Sequence, residues 1–120
     1  MAEVVIKEDT IHLHLTFGEK ILGVHREPNA KLNQITSVEI LEDAHTPVDM
    51  GFKVGERLPG VVEVGSIHTA DEKLFAAVHQ NTPRGLKISF SAGPYDAWVI
   101  GCKDPEGVYQ KIQNVLSHDG

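Results

Sequence analysis

The chain has 120 residues, of which 41% are hydrophobic and 23% charged, and its formal net charge is −6. This length predicts a single domain over residues 1–120, which would bury about two-thirds of the surface of its unfolded chain. No apolar run approaches the about 20 residues that span a bilayer. The acidic balance and the scattered basic residues disfavour nucleic acid and anionic lipid, so we expect neither a nucleic-acid nor a membrane partner.

The N-terminal sequence and the cysteine content predict a cytoplasmic protein. Residues 1–5 lack the basic start and apolar core of a signal peptide. The chain has one cysteine, Cys102, which cannot form an internal disulfide. Because Cys102 ends an apolar segment, we expect it to be a packed hydrophobic residue with a raised thiol pKa.

The first part of the chain predicts a β-hairpin with two different faces. Residues 4–6 and 11–15 form the two strands, around a polar turn. In the second strand His12 and His14 share one face, and the apolar side chains share the other.

The next segments alternate between ordered elements and a long loop. Residues 17–25 have helical spacing and predict a short helical turn, and strands are predicted at 30–32 and 35–41. Residues 42–60 are polar and contain several glycines and prolines. They predict a long loop of the kind that often binds ligands.

The chain from residue 61 onward predicts an antiparallel meander. Its connections are short enough for hairpins. The last strand is apolar on both faces, which indicates that it is largely buried. The four predicted strands are residues 61–68, 74–80, 86–91 and 95–102.

A helix over residues 104–117 is predicted to end the chain. Asp104 is a favourable N-cap, Pro105 suits the first helical position, and Glu106 complements the helix dipole. The predicted buried stripe follows helical spacing: Val108, Ile112 and Val115, with Tyr109 and Leu116 beside them.

These elements predict a mainly β fold, α+β by count, in which one helix caps a bent antiparallel sheet or barrel, or a two-sheet sandwich, of about seven strands. The spacing of hydrophobic, glycine and turn residues adds detail: Ile35-x-x-Val38-Glu39-Ile40-Leu41-Glu42-Asp43, Gly55-x-Arg57-x-Pro59-Gly60, Gly65, Phe75-x-Ala77-Val78, Tyr95-x-x-Trp98-Val99-Ile100 and Asp104-Pro105-Glu106.

This pattern resembles the small bacterial domains of the pleckstrin-homology (PH-like) superfold over residues 11–116. The resemblance implies a PH-like fold. It gives almost no information about activity, since most of these domains have no known function. The lipid-binding eukaryotic members carry several basic residues around the first hairpin, whereas residues 5–10 here contain one lysine and two acids. This difference argues against inositol phosphate binding at the hairpin and leaves open peptide or protein binding, the other habit of PH-like domains.

His12 and His14 form the candidate metal site. Two imidazoles on one strand face lie about 7 Å apart, a usable spacing for zinc, copper or nickel. No distant ligand follows at a recognisable spacing, so two solvent-facing histidines are the better interpretation and we expect no bound metal.

Arg57 and Trp98 are the other candidate ligand or partner residues. Arg57 follows a glycine-rich segment without the Gly-Lys-Ser/Thr ending of a phosphate loop. It either pairs with a carboxylate such as Asp43 or faces a ligand. Trp98 is expected in the core, or as an anchor for a partner chain if its strand lies at an exposed edge.

No arrangement of nucleophile and base is apparent in the sequence, so we expect no enzymatic activity and no cofactor. The leading hypothesis is a non-catalytic binding or scaffolding module of unknown ligand. A protein partner or self-association would cover apolar residues on the second face of the 95–102 strand. The alternative is a metal-binding or metal-dependent protein that uses His12 and His14, and binding to anionic lipid ranks last.

Overall fold

The computed structural model describes residues 3–14, 28–44, 52–54, 57–58, 62–68, 72–79 and 82–119. Within them, ten strands form two sheets, and one α-helix follows. The mainly β class with one C-terminal helix is therefore confirmed. The elements are β1 (Glu3–Lys7), β2 (Thr10–His14), β3 (Asn29–Lys31), a 3₁₀ turn (Leu32–Gln34), β4 (Ile35–Leu41), β5 (Phe52–Val54), β6 (Arg57–Leu58), β7 (Val62–His68), β8 (Lys73–His79), β9 (Gly85–Phe90), β10 (Ala97–Gly101) and α1 (Pro105–Asp119).

The small sheet has the antiparallel order β1-β2-β3. It contains the predicted hairpin, joined by a two-residue turn at Glu8 and Asp9. Ile11 and Leu13 are fully buried, which confirms the apolar face of β2. The helical turn predicted at 17–25 lies outside the described residues.

The large sheet has the order β4-β9-β10-β8-β7-β5, and β6 also pairs with β7. The predicted meander is wrong at one point, because β8 and β9 are not neighbours. β10 lies between them, antiparallel to β9 and parallel to β8. All five residues of β10 are buried, whereas Lys87 and Ser89 of β9 are partly exposed. A strand that is apolar on both faces gains most from a central position.

The predicted loop at 42–60 is also partly wrong, because it contains two short strands. β5 and β6 both pair antiparallel with β7, Phe52 opposite His68 and Arg57 opposite Glu63. Pairing with a neighbouring strand satisfies backbone groups whatever the local composition, so strand formation here follows from tertiary context.

Buried apolar side chains lie on both faces of the large sheet. The main cluster joins its inner face to the small sheet and α1. On the other face, Ala97 and Val99 of β10 are 0% exposed, within a second cluster of small and branched side chains. The β10 surface that we expected self-association to cover is therefore already buried in the monomer, and self-association would need another surface.

The predicted helix is confirmed as α1, with its N-cap in place. The Gly107 N–H donates to Asp104 Oδ1 at 3.1 Å. Ile112 is fully buried against the main cluster, and the helix packs on β4 and β9. No helix among the described residues is long and apolar enough to cross a membrane.

Substitution of Gly107 by alanine tests this cap. Alanine normally stabilises a helix by up to about 1 kcal/mol relative to glycine. Here the new Cβ would lie 2.2 Å from Asp104 Oδ2, so the cap must move, and its loss costs about 1 kcal/mol. Gly107→Ala is expected to leave the free energy of unfolding nearly unchanged in urea denaturation.

The Asp104→Ala background is the matched control. There the cap is already absent, so Gly107→Ala should stabilise the protein by about 1 kcal/mol. Equal effects in the two backgrounds would contradict the coupling between Gly107 and Asp104.

Candidate functional site

A cleft of about 280 Å³ lies between the small sheet and the connection from β9 to β10. It borders three consecutive residues of β3, and the connection forms the opposite wall. Its lining includes Lys31 and Gln34 on the side of the small sheet, Gly93 and Pro94 in the connection, and the buried side chains of Phe90 and Trp98, which we call the floor.

The floor of the cleft is aromatic and rigidly packed. The rings of Phe90 and Trp98 lie 4.7 Å apart between centroids, at an interplanar angle of 59°. Trp98 is 2% exposed, which agrees with its prediction as a core residue. It is buried because β10 is a central strand of the sheet and not an edge strand. Tyr95 borders the cleft and meets Phe75 edge-on at 5.3 Å. The core therefore holds the aromatic base of the cleft in place, and the half-buried Tyr95 supplies more accessible ring surface than the nearly buried Phe90 and Trp98.

Backbone hydrogen bonds fix both walls. The Ser91 N–H donates to the Gln34 carbonyl at 2.8 Å, which ties the connection to the 3₁₀ turn. At the other end, the Asp96 N–H donates to the Lys73 carbonyl, and the Lys73 N–H donates to Asp96 Oδ2, each at 2.8 Å. The exposed residues between these anchors thus form a loop with defined ends.

The polar rim of the cleft is built around Lys31. Its ammonium lies 3.3 Å from Asp9 Oδ2, and its backbone N–H donates to Gln34 Oε1 at 3.2 Å. Thr10 Oγ1 donates to Asp9 Oδ1 at 3.1 Å. The hydrogen bond from Thr10, followed by that from Lys31, holds the pKa of Asp9 below its usual value.

His12 and His14 lie together on the outer face of the small sheet. His14 is exposed and His12 partly exposed, and the register places Glu3 opposite His14. Within the described residues, no group of three His, Cys, Asp or Glu side chains is placed to hold a metal ion. The structure thus brings the two imidazoles to one face without adding a third ligand from that part of the chain.

Arg57 lies in β6, opposite Glu63 in the strand register. Asp43, its suggested partner, is exposed. The side chain of Arg57 lies outside the described part of the chain, so its pairing stays a prediction.

Sequence reasoning missed an ion cluster at Arg84. Arg84 Nε and Nη2 lie 2.9 and 3.2 Å from the two oxygens of Glu42. Its Nη1 lies 3.1 Å from Glu106 Oε1, and Nη2 also contacts Glu106. The guanidinium thereby joins the end of β4, the β8–β9 connection and the first turn of α1. Nothing in the local sequence of Arg84 indicates partners so distant along the chain.

This cluster predicts a pH-dependent contribution to stability. The hydrogen bond from Arg84 lowers the pKa of Glu106. A carboxyl group with a lowered pKa in the folded state stabilises the fold above its unfolded pKa of about 4.3, and this stabilisation is lost as pH falls through the folded pKa. Glu106→Gln should therefore lower the free energy of unfolding at pH 7 and have progressively less effect below about pH 4.

The effect should also shrink with added salt, because the pair is exposed to solvent. Glu39→Gln, which removes an exposed carboxylate from β4, is the control for the general change in net charge. Chemical denaturation from pH 3 to 7 measures both variants. A Glu106→Gln effect that grows as pH falls would reverse the predicted sign.

Cys102 behaves as the sequence predicts. Its side chain is buried, and Sγ lies 3.8 Å from the Ile100 carbonyl oxygen. Burial, with a smaller contribution from Asp104, raises the pKa of the thiol to about 11. The thiol is therefore protonated and weakly nucleophilic near neutral pH.

Among the described residues, the cleft thus combines an aromatic floor with a polar rim, which the sequence pattern did not indicate. Lys31 and Gln34 line this cleft, and the sequence did not identify them as site residues. Comparison with known proteins gives no match: no family model, no curated protein and no solved structure matches this chain.

Proposed function

We propose that this protein is a non-catalytic binding module of PH-like fold, and that the cleft holds part of its ligand. The single observation that carries the proposal is an aromatic floor, Phe90 and Trp98, held between two walls that backbone hydrogen bonds anchor. Such a site loses little conformational freedom when a ligand enters, which favours binding.

The size of the cleft restricts the ligand. Sites for drug-sized molecules enclose about 300–1,000 Å³, and this cleft, at about 280 Å³, lies just below that range. It suits one ring or one side chain that a larger partner inserts. Peptide or protein binding is one habit of PH-like domains, so the resemblance is compatible with a protein partner, as is the predicted cytoplasmic location.

Trp98 makes the proposal directly testable. It is the single tryptophan of the chain, so its fluorescence reports occupancy of the cleft. We expect saturable changes on titration with the N-acetyl amides of phenylalanine, tyrosine or proline, and little change with that of alanine.

Two matched variants locate the binding. Ala92 is exposed and lines the cleft, so Ala92→Phe should place a ring at the mouth and abolish the response. Ser91→Phe introduces the same ring at the adjacent exposed position and should retain the response. Equal responses from both variants would place the site elsewhere and contradict the proposal.

Metal binding by His12 and His14 is the second candidate. The observation in its favour is that burial of Ile11 and Leu13 fixes both imidazoles on the outer face. Metal analysis and thermal shift with Zn²⁺ or Ni²⁺, on protein purified without an affinity tag, test it. If Zn²⁺ or Ni²⁺ causes no thermal shift that His14→Ala removes, the metal-binding hypothesis is wrong.

A further inference from the structure

We propose that the cleft binds a ligand in which an apolar ring stands beside a carboxylate. This inference rests on the proposed function and specifies its ligand class. The ring would lie over the aromatic floor and against Tyr95, and the carboxylate would meet the rim at Lys31 and Gln34.

The floor provides the preference for a ring. Phe90 and Trp98 are tilted against each other at 4.7 Å and are almost completely buried, so they form a fixed base, and the half-buried ring of Tyr95 provides the accessible aromatic surface beside it. Aromatic rings gain energy from such offset or edge contacts beyond the burial of apolar area. The small volume of the cleft excludes a much larger apolar group.

The rim provides the preference for an anion. Lys31 is the one charged side chain among the described residues that line the cleft. Gln34 Oε1 already accepts from the Lys31 N–H, which leaves the amide NH₂ of Gln34 as a donor. A carboxylate accepts from both groups, and a charged acceptor roughly doubles the strength of such bonds.

The negative net charge of the chain does not oppose this preference strongly. At physiological ionic strength the Debye length is about 8 Å, so exposed charges farther away are largely screened. Charges at the rim decide the local potential, and among the described residues Asp9 already contacts Lys31.

Asp9 is the internal competitor of the proposed ligand. Its side chain is 70% exposed, and that of Lys31 is 57% exposed, so the pair can open toward solvent at low cost. Removal of the Asp9 charge should free the ammonium for the ligand, whereas removal of the Lys31 charge should eliminate its partner. The two substitutions are therefore expected to act in opposite directions.

The experiment compares N-acetylphenylalanine with its uncharged amide, by Trp98 fluorescence at low salt. In the wild type the acid should bind about two- to fivefold more tightly than the amide, as expected for one exposed ion pair. Lys31→Gln should remove this difference, and Asp9→Asn should increase it. Added salt should weaken the binding of the acid and leave that of the amide unchanged.

A third probe distinguishes the source of the carboxylate. N-acetyl-Gly-Gly-Phe with a free C-terminus represents the end of a protein chain. Tighter binding than that of N-acetylphenylalanine supports a peptide C-terminus as the ligand, and equal binding supports a free aromatic acid. Both outcomes agree with the proposed ligand class.

The failures of the two proposals are distinguishable. If acid and amide bind equally and Ala92→Phe blocks both, the carboxylate preference is wrong and the binding module stands. The same holds if the acid binds more tightly but Lys31→Gln has no effect on the difference. If neither the phenylalanine probes nor the other amides change Trp98 fluorescence, both proposals are overturned.

Discussion

Substitution of Trp98 by alanine is expected to lower the free energy of unfolding by about 3–5 kcal/mol. The side chain is 2% exposed and packs against Phe90 in the main cluster. Its removal leaves a cavity at the centre of the sheet, since β10 is hydrogen-bonded on both sides. Urea denaturation followed by circular dichroism measures the change without relying on tryptophan fluorescence.

Trp98→Phe is the matched control for Trp98→Ala. It keeps a ring against Phe90 and removes less volume, so its cost should be well below that of the alanine variant. A loss below about 1 kcal/mol for Trp98→Ala would show that the site collapses easily. The rigid floor on which the proposed binding depends would then be contradicted.

The second large effect is expected at Gly85, where alanine should cost about 1–3 kcal/mol or more. A Cβ at this position would lie 2.0 Å from the Ile100 carbonyl oxygen and 3.0 Å from the Ala44 Cβ. The first of these atoms belongs to the backbone of a buried strand, so it cannot move without disturbing the sheet. Thermal or urea denaturation should detect the loss directly.

The reason for this close approach is the order of the strands. The connection from β8 to β9 passes the end of β10, where the Cys102 N–H donates to the Arg84 carbonyl at 3.0 Å. Ser89→Ala, at a partly exposed position of the same strand, is the control and should change stability by less than about 1 kcal/mol. A Gly85→Ala variant as stable as this control would contradict the tight passage.

The elements that depend on local interactions are predicted well. The hairpin of β1 and β2 follows from alternating side chains around a polar turn, and α1 follows from Asp104 and its helical stripe. These signals act over a few residues, where propensity, capping and periodicity agree. The burial of Trp98 and the raised pKa of Cys102 likewise follow from the apolar character of their segment.

The two wrong predictions, the pairing of β8 with β9 and the unbroken loop at 42–60, have a different cause. Sequential strands are neighbours about two-thirds of the time, so short connections favoured a meander in which β8 and β9 pair. The apolar pattern of β10 indicates burial on both faces, but it does not specify which strands lie beside it. β5 and β6 were missed because they are short and depend on pairing with β7.

The candidate site also depends on contacts between distant segments, so local sequence does not predict it. Lys31 and Gln34 precede Phe90 and Trp98 by more than fifty residues in the sequence, and no local pattern connects them. The hydrogen bond from Ser91 to the Gln34 carbonyl joins the walls beside the pairing of β4 with β9, which brings together segments far apart in the chain. The ion cluster at Arg84 arises in the same way, from three segments that meet at one corner.

The sequence by itself determined the class of the fold, the strand faces near the N-terminus and the capped helix at the end, because these depend on neighbouring residues. The tertiary structure alone decided the central place of β10 and the cleft above Trp98. These features depend on contacts between residues far apart in the chain, whose pairing follows from how all the apolar faces are buried together.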